Sequence, residues 1–179
     1  LTHKSGTTDS GNELSLYKVD LSNGKTTDSA SVAYLNHGSE LVMKDCAVTN
    51  CDATATGGAF YMYKATADIS KTTFTNCDAT GSGKSAGVAY VEGSDTTFTM
   101  TGCTITNCTS KNYGGAFFVN TNGRVELSST TINGCSTTSR AGAVYIKAGT
   151  AILNGVTIDG CSTTGNSSRG GGIYNYQGT

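Results

Sequence analysis

The sequence predicts an all-β chain, a right-handed parallel β-helix of about six coils, and three observations carry that expectation. A pattern recurs about every 27 residues, apolar side chains stand two apart within each copy, and no segment leaves room for an amphipathic helix.

The repeat comes first. One cysteine recurs as Cys51, Cys77, Cys108, Cys135 and Cys161, with Gly24 at the earliest equivalent place. Three residues before each lies an apolar side chain: Leu21, Val48, Phe74, Ile105, Ile132 and Ile158. Further upstream lie two more apolar rows, Leu16, Met43, Ile69, Met100, Leu127, Leu153 and Leu14, Leu41, Ala67, Phe98, Val125, Ala151. Their spacing of two is strand alternation, with one face inward. A third apolar segment follows each cysteine, as in Ala59-Phe60-Tyr61 or Ala143-Val144-Tyr145. Each coil is therefore expected to hold three short strands, joined by a bend and a loop. Without a helical crossover, the rest of the coil is the connection between parallel partners, and such connections are right-handed in nearly all cases. The coils span approximately 11–37, 38–64, 65–93, 94–121, 122–148 and 149–179. Asp78 to Ser85, Thr109 to Tyr113 and Ser162 to Arg169 vary in length and read as surface loops. The pairs Gly57-Gly58, Ala86-Gly87, Gly114-Gly115, Ala141-Gly142 and Gly170-Gly171 suit sharp corners where a side chain does not fit.

Composition agrees with a solenoid. The 179 residues fit one domain, and a net charge of -1 points to no nucleic acid and no acidic membrane surface. A hydrophobic content of 36% is low for a compact globule but suffices when each coil is held by its neighbours. No apolar run approaches the ~18 residues of a bilayer span, so no membrane insertion is expected. The chain starts at Leu1 without a signal-peptide pattern, which reads as a mature form or a part of a longer chain. Neither Leu1 to Gly11 nor Gln177 to Thr179 reads as a cap, although the first is long enough to fold over an end.

Phe74-Thr75-Asn76-Cys77-Asp78-Ala79 followed by Ala86-Gly87-Val88-Ala89-Tyr90, together with Gly57-Gly58-Ala59-Phe60-Tyr61, resembles the polymorphic-membrane-protein repeat with its FxxN and GGA(I/L/V) elements. The resemblance covers Leu41 to Tyr174. It implies a β-helical surface adhesin or autotransporter passenger, by analogy of fold alone. Asn50, Asn76 and Asn107 give way to Gly134 and Gly160, a departure from the repeat.

Several features carry a functional and a plain reading side by side. The ladder Cys51, Cys77, Cys108, Cys135, Cys161 reads as packed inward thiols or as cross-links. Cys46 and Cys103 share a place with Thr72, Thr130 and Val156, as an ordinary small core position would. Seven cysteines is an odd count, so at least one thiol stays unpaired within the chain. The Asn50, Asn76, Asn107 row reads as stacked amides rather than a ligand row. If the residues flanking Tyr61 and Tyr145 point inward, Tyr34, Tyr61, Tyr90, Phe118, Tyr145 and Tyr174 point outward, one per coil. Such a row is an interface with another chain or a polysaccharide platform, unless the register is opposite or a flanking segment covers it. Thr73/Thr75 and Thr104/Thr106 make a partial threonine face, which admits ice binding as a minor alternative to a solvated β-branched face. Asn107-Cys108-Thr109 and Asn166-Ser167-Ser168 are N-glycosylation sequons, so Asn107 and Asn166 are candidate acceptors; Asn166, in a long loop, is the better placed.

Catalytic signals are poor. Asp52 and Asp78 would stack in adjacent coils, but Thr109 and Ser136 follow, so the carboxylate row stops at two. His3 and His37 have no ligand spacing, and no zinc pattern occurs. The expectation is therefore no cofactor, no metal and no enzyme, but an extracellular or cell-surface structural or adhesive β-helix, plausibly a subunit of a surface filament or fibril. Its expected partners are further copies, head to tail or side by side, another surface protein, or glycans. The rival of a different class is a carbohydrate-binding or polysaccharide-degrading domain.

Overall fold

The computed structural model describes residues 12–166 and 168–179. The Leu1 to Gly11 segment lies outside the described residues.

Over the described residues the chain is an all-β solenoid of six coils whose paired strands run parallel and in register, forming four stacked sheets. The first coil sets the plan: Asn12–Tyr17, Asp20–Ser22, Lys25–Thr26 and Ala33–Asn36. The last coil closes it with Thr150–Asn154, Thr157–Asp159, Ser162–Thr163 and Ile173–Asn175. Three strands per coil were expected and four are present. The additional strand is two residues long, as in Asp78–Ala79 and Thr109–Ser110, and opens segments that read as loop. Small polar residues carry no alternation visible in the sequence. Their carbonyls and amides are nevertheless committed to the neighbouring coils, as in the bond from Thr80 N to Ala53 O at 2.9 Å.

The corners are made by left-handed residues. One corner falls at Asn23, Asn50, Asn76, Asn107, Gly134 and Gly160, with φ between 53° and 62°. Asparagine and glycine are the residues that reach this region most readily, so the change from Asn to Gly along the row keeps the turn. A second corner falls at Lys18, Asp45, Lys71, Gly102, Ser129 and Gly155, also at positive φ. The residue after each corner points inward and is small. At the second corner Cys46 and Cys103 send their thiols to the carbonyls of Lys44 and Thr101 at 3.3 and 3.5 Å. Thr72 and Thr130 send their hydroxyls to Ser70 and Ser128 at 2.9 Å. Thiol and hydroxyl do the same work there, which is why they alternate.

Glycine at the third corner has a different cause. A Cβ on Gly58, Gly87, Gly115 or Gly142 would lie 2.0–2.4 Å from the carbonyl oxygen of Gly87, Gly115, Gly142 or Gly171, one coil further on. Backbone stacked on backbone leaves no room.

The interior is continuous. Phe74, Phe60, Phe98 and Phe117 are fully buried and touch in that order, Phe74 to Phe60 edge-on with ring centres 5.8 Å apart, Phe60 to Phe98 at 5.9 Å and Phe98 to Phe117 at 5.6 Å. Each such side chain contributes about 1.5–3 kcal/mol on burial. In the end coils the same inward positions, such as Leu14, Leu16, Leu153 and Ile158, are only half-buried, with no complete further layer over them among the described residues.

Candidate functional site

The inward thiols are free and packed. Cys46, Cys51, Cys77, Cys103, Cys108 and Cys135 are buried and Cys161 is half-buried at the end of the row. Cys77 N donates to Cys108 Sγ at 3.4 Å, and the Cys51 thiol reaches the carbonyl of Thr49 at 3.5 Å. Burial pushes the thiols of Cys103 and Cys108 up, away from the reactive thiolate.

The asparagine row hydrogen-bonds to itself. Asn76 donates to Asn50 at 3.1 Å and Asn50 to Asn23 at 3.4 Å, so the row begins one coil earlier than the sequence reading placed it. Asn107 is exposed on its turn rather than in the core. Asn166 is exposed as well, while Ser167 of its sequon lies outside the described residues.

The fourth sheet carries the most distinctive surface. Its inward residues include Leu35, Met62, Val91 and Val119, each at most 1% exposed, so Tyr34, Tyr61, Tyr90, Phe118, Tyr145 and Tyr174 stand on the outward face in register. The rings do not lie flat on the sheet as an open platform. They stack on one another along the axis. Tyr34 and Tyr61 are 4.7 Å apart at 12°, Tyr61 and Tyr90 are 5.3 Å apart at 5°, and Tyr145 and Tyr174 are 5.5 Å apart at 3°. These separations are close to the strand spacing of about 4.8 Å. The stack breaks once, where Phe118 meets Tyr90 edge-on at 68°.

The two halves of the row differ. Outward-facing does not mean exposed in the second half: Phe118 is 5% and Tyr145 2% exposed. Their cover is Tyr113, from the loop of the fourth coil, which stacks on Tyr145 at 4.8 Å. The Arg140 guanidinium lies 5.4 Å from the Tyr113 ring centre and 5.9 Å from that of Tyr174. Tyr113, Arg140 and Arg169 pair in register on this flank, where the earlier coils hold Ser29, Thr56 and Ser85. The sequence left such a cover open without identifying its residues, because only these three coils carry large side chains there.

In the first half the flank is acidic and hydrogen-bonded. Tyr61 donates to Glu92 at 3.3 Å, and the Asn120 amide donates to the Tyr90 hydroxyl at 3.0 Å and to Glu92 at 3.3 Å. Burial, followed by the Glu92 charge, pushes Tyr90 up to about 12 and raises Tyr61 as well. Tyr34 is raised by burial, then by Asp28 and Glu92. Asn36 Oδ1 and Arg140 Nε are buried polar atoms with no hydrogen-bond partner.

The remaining candidates are local. Asp52 and Asp78 pair in register on the third sheet. Asp78 accepts from the backbone and hydroxyl of Thr109 at 2.9 and 2.8 Å, and burial raises its carboxyl above the usual range. Lys25 lies 3.9 Å from Asp52. The Thr73/Thr75 and Thr104/Thr106 pairs align on the second sheet, flanked by Ala47/Thr49 and Thr131/Asn133. Among the described residues no group of three or more His, Cys, Asp or Glu is placed to hold a metal ion.

Against the repeat it resembles, the chain departs further: Phe74 and Asn76 stand one residue apart where FxxN has two, and Phe60 and Phe117 follow the Gly-Gly-Ala triplets. No family model matches the chain, and no curated protein or solved structure matches it.

Proposed function

We infer that this chain is a non-catalytic structural and adhesive β-helix, a rod segment of an extracellular or cell-surface filament. The observation that supports this reading most is the outward aromatic row. Its ring faces are spent on each other, at 4.7–5.5 Å along most of the axis. A sugar platform needs open ring faces, and along the side of this rod the rings offer mainly edges and hydroxyls. The row therefore serves the rod itself first, as stacked aromatics do in cross-β assemblies. Surface location and glycosylation belong to the same reading, with exposed Asn166 as the candidate acceptor.

The test is incubation of the chain with a panel of neutral and acidic polysaccharides, read by chain-length analysis and by co-sedimentation. The reading expects no shortening of any polymer. Depolymerisation of one polymer, lost on substituting Asp52, Asp78 or Glu92, would replace it with an enzyme.

A further inference from the structure

One edge of the solenoid gathers positive charge that its own loops do not balance. The loops between the third and fourth strands of coils three to six, 80–88, 111–116, 138–143 and 164–172, hold Lys84, Lys111, Arg140 and Arg169 and no aspartate or glutamate. The whole chain, by contrast, has a net charge of -1. We propose that this stripe is the adhesive surface of the rod and binds an acidic polysaccharide through the carboxylates of its uronate residues. The proposal rests on the structural and adhesive reading above and names the partner of its adhesive side.

The four cations follow the axis. Lys111 N donates to the Lys84 carbonyl at 3.1 Å, which sets these two in adjacent coils, and Arg140 bridges Arg169 in parallel register. Successive coils rise by about 4.8 Å, so the stripe runs roughly 14 Å along the rod. A pyranose of an extended glycan advances by about one such rise, so its regularly spaced carboxylates meet successive coils. Lys84, Lys111 and Arg169 are exposed. Between them lie an amide and a hydroxyl, Asn112 donating to the Gly83 carbonyl at 3.2 Å and Thr138 to the Lys111 carbonyl at 2.6 Å. Groups of this kind also hydrogen-bond sugar hydroxyls.

These cations are short of counter-ions. Among the described residues the ion pairs join Lys25 to Asp52 and Arg124 to Glu126, and none of the four takes part. Asp78, on the strand before the third-coil loop, is committed to Thr109. Arg140 is half-buried between the rings of Tyr113 and Tyr174. Its Nη1 donates to the Tyr113 hydroxyl at 3.4 Å, and its Nε has no partner. Arg169 turns to the Tyr174 hydroxyl at 3.5 Å rather than to an acid. A partly desolvated guanidinium without a carboxylate lacks the charge that offsets its desolvation. Its planar fork matches an incoming carboxylate at two points. A single-stranded nucleic acid is the rival polyanion, but its bases need open aromatic faces. On this edge the faces are spent on other rings, Tyr113 on Tyr145 and Tyr145 on Phe118 and Tyr174.

The experiment titrates the full chain with polygalacturonate, uncharged dextran and single-stranded oligothymidylate by isothermal titration calorimetry, at low and at raised salt. The variants are K84Q/K111Q, R169Q and, as a matched loss of charge on another edge, K44Q/K71Q. Arg140 is left in place because it packs on Tyr113, and circular dichroism of each variant confirms the β-fold. The wild type is expected to bind polygalacturonate, more weakly as salt rises, and not to bind dextran. K84Q/K111Q and R169Q are each expected to weaken that binding about tenfold, and K44Q/K71Q to leave it unchanged. Absence of polygalacturonate binding overturns the proposal, as does equal binding of dextran or oligothymidylate, or an equal loss in K44Q/K71Q. Any of these failures leaves the structural reading standing. That reading falls only to shortening of a polymer, which the binding titration does not register.

Discussion

At the residue scale the fold rests on side chains that repeat a local bond rather than on any single contact. The thiols at Cys46 and Cys103 and the hydroxyls at Thr72 and Thr130 satisfy the same carbonyl position one coil apart. Cys103→Thr is therefore expected to change stability by less than about 1.5 kcal/mol, measured by urea denaturation. Thiol titration of the native protein should find Cys161 reacting first, with the other six modified only on unfolding, since these are buried. Rapid native reaction of several thiols would mean that the ladder is not packed. The tyrosines give a second readout. Tyr90 and Tyr61 have pKa values raised above the usual value of about 10. A raised pKa means stability present below the unfolded value and lost as pH rises through the folded one. Melting temperature should therefore fall between about pH 10 and about pH 12, in step with phenolate absorbance, and Y90F should flatten the fall.

At the element scale the question is why short strands of two to six residues hold at all. A strand such as Ser136–Thr137 has neighbours in register on both sides, so its stability is borrowed from the stack. Ile132→Ala, in a buried middle coil, is expected to cost about 2–5 kcal/mol. Ile158→Ala, half-buried in the last coil, is expected to cost less than about 2 kcal/mol. Chemical denaturation of both variants checks the contrast. Gly115→Val should prevent folding, because its Cβ would sit 2.0 Å from the Gly142 carbonyl oxygen. What was legible in the sequence follows the same physics. Alternation of two made the strands around Leu127, Ile132 and Val144 visible, and the recurring cysteine gave the layer spacing. Asp78–Ala79 and Ser162–Thr163 were illegible as strands because two small residues show no period. The bend expected between the first two strands falls at Lys18, Lys71 and Ser129, but its left-handed conformation was hidden for a related reason: those residue types carry no mark of positive φ. The outward aromatic row followed from its inward flanks. Its cover by Tyr113 and Arg140 did not, because those residues come from loops of unequal length.

At the scale of the whole molecule the layers are near-equivalent, so stability is expected to sum over neighbouring coils and to be lowest where a coil has one neighbour. Coils one and six are those coils, and their inward residues remain half-buried. The measurement that tests this most directly is native-state amide hydrogen exchange resolved by coil, on dilute protein. The account predicts slow exchange in the middle coils and fast exchange in the first and last. End coils as protected as the middle ones in dilute protein, or middle coils that exchange first, would contradict it.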